Sequence, residues 1–189
     1  MGMATASKVW TLAEVHSLPD DGNTYELVNG VLYVTPPPLE EHETIAARLA
    51  RILDPYVAAH GLGLVYRPKS VFRIGKEIEV EPDLMVRQPH RARRNRDEDW
   101  ETAPTPSLVV EIVSASTRRR DFELKPSVYL DEGGIPDYWV VNAGARTIHV
   151  YRRGHPATRA IEIRDELTWS PDGAMASLRI DLGDVFQDI

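Results

Sequence analysis

The chain contains no cysteine among its 189 residues. That excludes disulfides and thiolate metal sites, and it fits a reducing compartment such as the cytoplasm. No apolar run approaches the roughly 18 residues that a membrane helix needs, so no membrane span is expected. Residues 1–8 lack the basic and apolar segments of a secretory signal and read as a disordered lead. There is no excess of positive charge either: 22 Lys and Arg stand against 29 Asp and Glu, for a net charge of −7. This balance weighs against tight nonspecific DNA binding, which draws on many phosphate contacts. Internal repeats and low-complexity tracts are also lacking.

What is present is ordinary globular composition, 42% apolar and 27% charged, at a length that suits one domain spanning 1–189. The charge is unevenly spread. Arg87, Arg91, Arg93, Arg94 and Arg96 run without an acid, and Asp97, Glu98, Asp99 and Glu101 follow at once. Arg118, Arg119 and Arg120 form a second basic cluster. Either cluster could contact phosphates, and either could be a solvated loop or helix start.

The local signals predict an α+β domain with a mixed central sheet flanked by two main helices. Thr11 with Glu14 caps a short helix reaching Leu18. Asn29-Gly30, between Tyr25–Val28 and Val31–Val34, has the two positive-φ positions of a type I′ hairpin. Ile45, Leu49, Ile52, Leu53, Tyr56 and Val57 recur at helical spacing within residues 39–60. Strands are expected over 62–66, 70–74, 78–80 and 83–86, followed by a long charged loop over 88–106. Residues 107–113 are apolar except for Glu111 and suit a central strand covered on both faces. A helix follows, with Pro126 inside it as the expected kink or restart, and it ends at Gly133-Gly134. Residues 137–141 and 147–151 read as antiparallel partners; 160–163, 175–180 and 182–186 read as peripheral strands and a short helix.

Two carboxylates stand at the borders of apolar, strand-like runs: Asp83 after Pro82, and Glu111. Charge at the edge of a sheet core is costly unless neutralised. If their strands are neighbours, the two would repel unless a cation lay between them, and hard oxygen ligands favour Mg²⁺ or Mn²⁺. Lys125 lies on the following helix, which could bring it back over the same sheet end. The alternative is a turn at Pro82-Asp83 and a strand-end acid at Glu111 paired with an arginine. His42, near a helix start, reads equally as a surface histidine, and Glu26 as an exposed hairpin acid.

The ordered motifs Tyr25–Gly30, Pro36–His42, Glu81–Val86, Pro106–Ser114, Ser116–Asp121, Lys125, Tyr129 and Ile135–Val141 resemble the Uma family, described as putative restriction endonucleases, within the PD-(D/E)XK nuclease superfamily. The resemblance covers most of the chain. It implies a restriction-endonuclease-like core behind an N-terminal hairpin, with Asp83 and Glu111 as metal ligands and Mg²⁺, or Mn²⁺ as a substitute, as cofactor. The superfamily's lysine position, two residues after Glu111, is occupied by Val113, whose backbone carbonyl could still face the metal. The family resemblance points instead to Lys125 as the catalytic lysine. It also matches Glu26, and His42 as an accessory residue, and it makes Arg118, Arg119 and Arg120 candidates for nucleic-acid contacts. Ala115, Pro126 and Asn142 depart from the family pattern.

The activity so implied is Mg²⁺-dependent hydrolysis of phosphodiester bonds in DNA, by a cytoplasmic homodimer. Two other classes stand beside it: an inactive module of the same fold that binds nucleic acid or a protein partner, and a metal-independent hydrolase working through paired carboxylates.

Overall fold

The structure is a computed structural model and describes residues 8–89, 102–156 and 159–189. Arg91, Arg93, Arg94 and Arg96, the acids after them, the middle of the 88–106 loop and residues 1–7 of the lead lie outside the described residues.

A six-stranded sheet forms the centre. Its strands are β3 (Leu64–Tyr66), β6 (Leu84–Arg87), β7 (Leu108–Ile112), β8 (Asp137–Asn142), β9 (Thr147–Arg152) and β10 (Ile161–Ile163), in the order β10-β9-β8-β7-β6-β3. The β7–β8 pair is parallel and the other pairs are antiparallel. All five residues of β7 are buried, as an apolar run without alternation requires of a central strand.

The two faces of this sheet differ. Leu84, Val86, Leu108, Val110 and Ile112 pack with α2 (Glu40–Ala59) and with the C-terminal hairpin of β11 (Glu166–Trp169) and β12 (Leu178–Asp181). Met85, Val109, Tyr138 and Val140 face the other way, against residues 120–132, here called α3. Side chains alternate along a strand. The parity that puts Val109 on the α3 face therefore puts Glu111 there as well, and Asp83 lies just before β6.

The sequence predicts one mixed central sheet. Instead β1 (Thr24–Val28) and β2 (Val31–Thr35) join β4 (Phe72–Ile74) and β5 (Ile78–Val80) in a separate four-stranded sheet, and β11–β12 form a third. Val28, Phe72, Ile78 and Val80 of the small sheet pack into the α3-side core, so the small sheet covers that end of the central one. The hairpin turn is as the sequence predicts: Asn29 and Gly30 take φ of 49° and 80°. A Cβ on Gly30 would come within 2.6 Å of Val9 Cγ1. Gly30→Ala is therefore expected to cost about 1–2 kcal/mol in urea unfolding, from the left-handed backbone alone, with cleavage or binding assays unchanged.

Helix α1 (Leu12–His16) carries the full capping box of Thr11 and Glu14. In α2, Pro55 occurs on the exposed side, so the hydrogen bond it removes is on the solvent face.

Helix α3 is not a kinked α-helix. It runs as a π-wound turn (Arg120–Leu124), a short α-helical stretch (Lys125–Ser127) and a second π-wound turn (Val128–Glu132). The Lys125 N–H bonds Arg120 O, and the Gly133 N–H bonds Val128 O, both five residues back. Pro126 accounts for the first departure. It has no N–H to give to Asp121 O or Phe122 O, and in an α-helix its ring would press on the carbonyl four residues back. Two tyrosines of the sheet supply the missing donors: Tyr138 OH donates to Asp121 O at 2.9 Å, and Tyr151 OH to Phe122 O at 3.4 Å. The carbonyls freed by the proline are thus satisfied from the sheet.

Candidate functional site

The winding of α3 places Asp121, Lys125 and Tyr129, four residues apart, as buried side chains against the central sheet. The Lys125 side chain is fully buried at 1% exposure. Its ammonium donates to Glu111 Oε1 at 2.6 Å and to Glu26 Oε1 at 3.1 Å, and stands 3.7 Å from Asp121 Oδ1. Pro126 therefore does not turn Lys125 away; it lies beside a lysine that reaches into the carboxylates.

Asp83 precedes β6 by one residue and stands at the end of β7 that carries Glu111; the paired register itself stops at Leu84↔Val110. Asp83 is tied to that place: its Oδ2 accepts the N–H of Ile112 at 2.7 Å and lies 3.1 Å from His42 Nε2. His42 reaches it from the first turn of α2 and is 15% exposed, against 18% for Asp83. These two side chains form the open side of a site whose other members are buried.

Glu26, from the hairpin, is not an exposed acid. It is 1% exposed. One oxygen takes Lys125 and the backbone N–H of Glu81, and the other takes Arg120 at 3.1 Å. Glu81 thus enters the site through its main chain.

The three arginines do not act as one patch. Arg120 is turned inward, bonded to Glu26 and to Thr35 Oγ1 at 2.9 Å. Arg118 lies over the Phe122 ring and Arg119 pairs with Glu123 at 3.0 Å, both outside. Of the three arginines expected as candidate nucleic-acid contacts, Arg120 is turned to interior partners, Glu26 at 3.1 Å and Asp121 at 4.0 Å, against the repulsion of Lys125. Val113, just beyond β7, continues the ladder by donating its N–H to Val141 O at 2.8 Å.

Two further members, Tyr129 and Asp121, were not singled out in the sequence as site residues. Tyr129 OH donates to Glu111 Oε1 at 2.5 Å. A four-residue spacing to Lys125 on one helix was the available signal, masked by the proline between them.

The electrostatics follow from burial and sign. Burial pushes the Glu111 carboxyl up, Lys125 pulls it down, and Asp83, Asp121 and Glu26 push it up again, leaving it at about 8. Burial likewise raises Asp121, against the pull of Lys125. For Lys125, burial alone would favour the neutral amine, but Glu111, Glu26 and Asp121 outweigh it and hold it above the usual lysine value. Burial lowers His42, and its bond to Asp83 more than restores it, so it ends above an ordinary histidine. Burial and Glu111 raise Tyr129 well above an ordinary phenol, so it stays a neutral donor.

The cluster thus joins four carboxyl groups, Glu26, Asp83, Glu111 and Asp121, to two permanent cations, Lys125 and Arg120. Carboxyl groups outnumber these cations by two, with Glu111 and Asp121 raised by burial, and the open side belongs to Asp83 and His42. A dication of hard character fits such a donor set. Among the described residues no three or more His, Cys, Asp or Glu side chains gather as ready ligands for a metal. A cation here would lean on the Asp83 and Glu111 carboxylates and on water, which is how Mg²⁺ is ordinarily held, and not on a closed cage of the zinc kind. No helix among the described residues is long and apolar enough to cross a membrane.

Comparison with known proteins agrees with this architecture. The chain is similar to a structure described as a putative nuclease of the DUF820 family from Anabaena variabilis. They share 19% identity over 94% of this chain and 97% of that one, with a TM-score of 0.74. At that identity the likeness speaks for the restriction-endonuclease-like fold. No curated protein matches the chain. The Uma2 family profile, described as "Putative restriction endonuclease", matches residues 12–183, and on that span the chain belongs to this family.

Proposed function

We propose that the protein is a Mg²⁺-dependent nuclease that hydrolyses phosphodiester bonds in DNA. The observation that carries this reading is the gathering of Glu26, Glu111 and Asp121 around Lys125, with Asp83 on the open side of the cluster. The family description, which names restriction endonucleases, supports the substrate class.

In this reading Asp83 and Glu111 hold the cation, with the Val113 carbonyl as a further oxygen. When bound, such a cation lowers the pKa of a water and offsets charge on a phosphoryl oxygen. The chain's own residues do the rest. His42 and the Ile112 N–H fix Asp83 through one oxygen and leave the other free to turn outward. Lys125 is a fixed positive charge beside the reacting groups. Three carboxylates keep it protonated, so it stabilises developing negative charge and does not remove a proton from water. Glu26 sets the reach of Lys125, and Arg120 sets Glu26. Arg118 and Arg119, exposed on the segment between β7 and α3, suit phosphate contacts.

The test is incubation with supercoiled plasmid and short duplexes in Mg²⁺ or Mn²⁺. Nicking or linearisation that EDTA stops is expected. No cleavage of DNA or RNA in either metal would sink the reading and favour the inactive module of the same fold.

A further inference from the structure

Glu111 Oε1 receives two donors. Lys125 Nζ lies 2.6 Å away and Tyr129 OH 2.5 Å, and the two come from the same helix, four residues apart. For charge alone the second donor is superfluous, because the ammonium already stands against the carboxylate. A phenol hydroxyl is also an expensive group to bury, where phenylalanine would fill the same space. Tyr129 is nonetheless fully buried, with its ring held against Tyr138 at 4.9 Å, and Tyr138 in turn is anchored on the Asp121 carbonyl. What a second donor adds is direction. A carboxylate with one partner can swing about it, whereas two donors converging on one oxygen fix the plane and the free oxygen.

Resting on the reading of this site as a cation centre, we propose that Tyr129 is a positioning residue: with Lys125 it occupies Oε1 of Glu111, so that Glu111 offers a cation Oε2 alone. The consequence is a choice between cations. Mg²⁺ and Mn²⁺ accept one oxygen from each carboxylate in a near-octahedral shell, while Ca²⁺ readily takes both oxygens of one carboxylate. With Oε1 occupied, the two-oxygen mode is closed and the small cations are favoured.

The experiment is calorimetric titration of the wild type, Tyr129→Phe and Tyr151→Phe with Mn²⁺ and with Ca²⁺. Tyr151→Phe removes a phenol hydroxyl that bonds a carbonyl of the same helix and does not touch Glu111. Tyr129→Phe is expected to weaken Mn²⁺ by roughly 10- to 100-fold, the usual loss when an outer partner of a ligand is removed. It should weaken Ca²⁺ much less, and Tyr151→Phe should keep the wild-type ratio of the two affinities. Equal losses of both cations in Tyr129→Phe, or no loss, would overturn the proposal. Wild-type protein that binds neither cation would overturn the underlying reading and the proposal with it. A second measurement needs no variant: in crystals of the wild type soaked in Mn²⁺, density on Oε2 with Tyr129 still on Oε1 is expected, and density bridging both oxygens would refute the assignment.

Discussion

Lys125→Met is expected to destabilise the fold by about 3–5 kcal/mol at neutral pH, the usual result of removing one partner from a buried ionic cluster. The size follows from what is left behind. Glu26, Glu111 and Asp121 all lie against the ammonium, and each is buried. Without it Arg120 is the permanent cation left in the cluster, bonded to Glu26 and 4.0 Å from Asp121. Glu111 and Asp121, already raised by burial, will respond by taking up protons, so their pKa values in the folded variant rise further above those of the unfolded chain. The sign is then fixed. A carboxyl whose folded pKa is raised keeps its stability below the unfolded value and loses it as pH climbs towards the folded one. The gap between wild type and variant should be small near pH 4, open as wild-type Asp121 ionises, and go on widening above about pH 8, where wild-type Glu111 gives up its own proton. Urea unfolding followed by circular dichroism across that range reads it directly. A gap that does not change with pH would show that Lys125 matters through packing and not through charge. Where cleavage can be measured, the same variant should lose about 10²- to 10³-fold, as expected when a group aimed at transition-state charge is removed.

How much of this was legible in the chain depends on whether the signal was local. The hairpin was, because Asn29-Gly30 demands positive φ whatever surrounds it. So was β7, because a run that is apolar but for Glu111 has few other uses. That Asp83 and Glu111 lie at the same end of the central sheet was implicit once β6 and β7 were neighbours. The interior fate of Arg120 was not legible, since a run of three arginines looks solvated until Glu26 arrives from a strand 94 residues earlier. Nor was the π winding of α3. Pro126 announces a broken hydrogen-bond pattern, but the remedy is two tyrosines from β8 and β9, which no local rule connects to it. Splitting the strands into three sheets was missed for the same reason, and β11 went unread because Glu166–Trp169 is short and mixes polar with apolar residues. What local signals leave out is how buried polar groups are satisfied at long range, and the candidate site is built from such bonds.

Asp83→Asn and Glu111→Gln should each reduce metal-dependent cleavage by at least about 10³-fold, a loss of roughly 4 kcal/mol in transition-state stabilisation, yet they should differ in how they bind the cation. Burial and neighbouring acids leave Glu111 at about 8, so near neutrality the cation-free protein carries a proton there. A cation that takes Glu111 must displace that proton. Affinity for Mn²⁺ in the wild type should therefore fall by up to about tenfold for each pH unit below 8, and flatten above it. Binding below pH 8 should release close to one proton, seen as a heat that changes with the ionisation enthalpy of the buffer. Glu111→Gln removes both the ligand and the proton, so its residual binding should be weak and insensitive to buffer over that range. Asp83→Asn removes a ligand that is partly exposed and held by Ile112 and His42. It should weaken Mn²⁺ while keeping the proton release, because Glu111 still has to give up its proton. Equal behaviour of the two variants, or a wild-type affinity that does not depend on pH between 6 and 8, would separate Glu111 from the cation and leave Asp83 as the carboxylate that holds it.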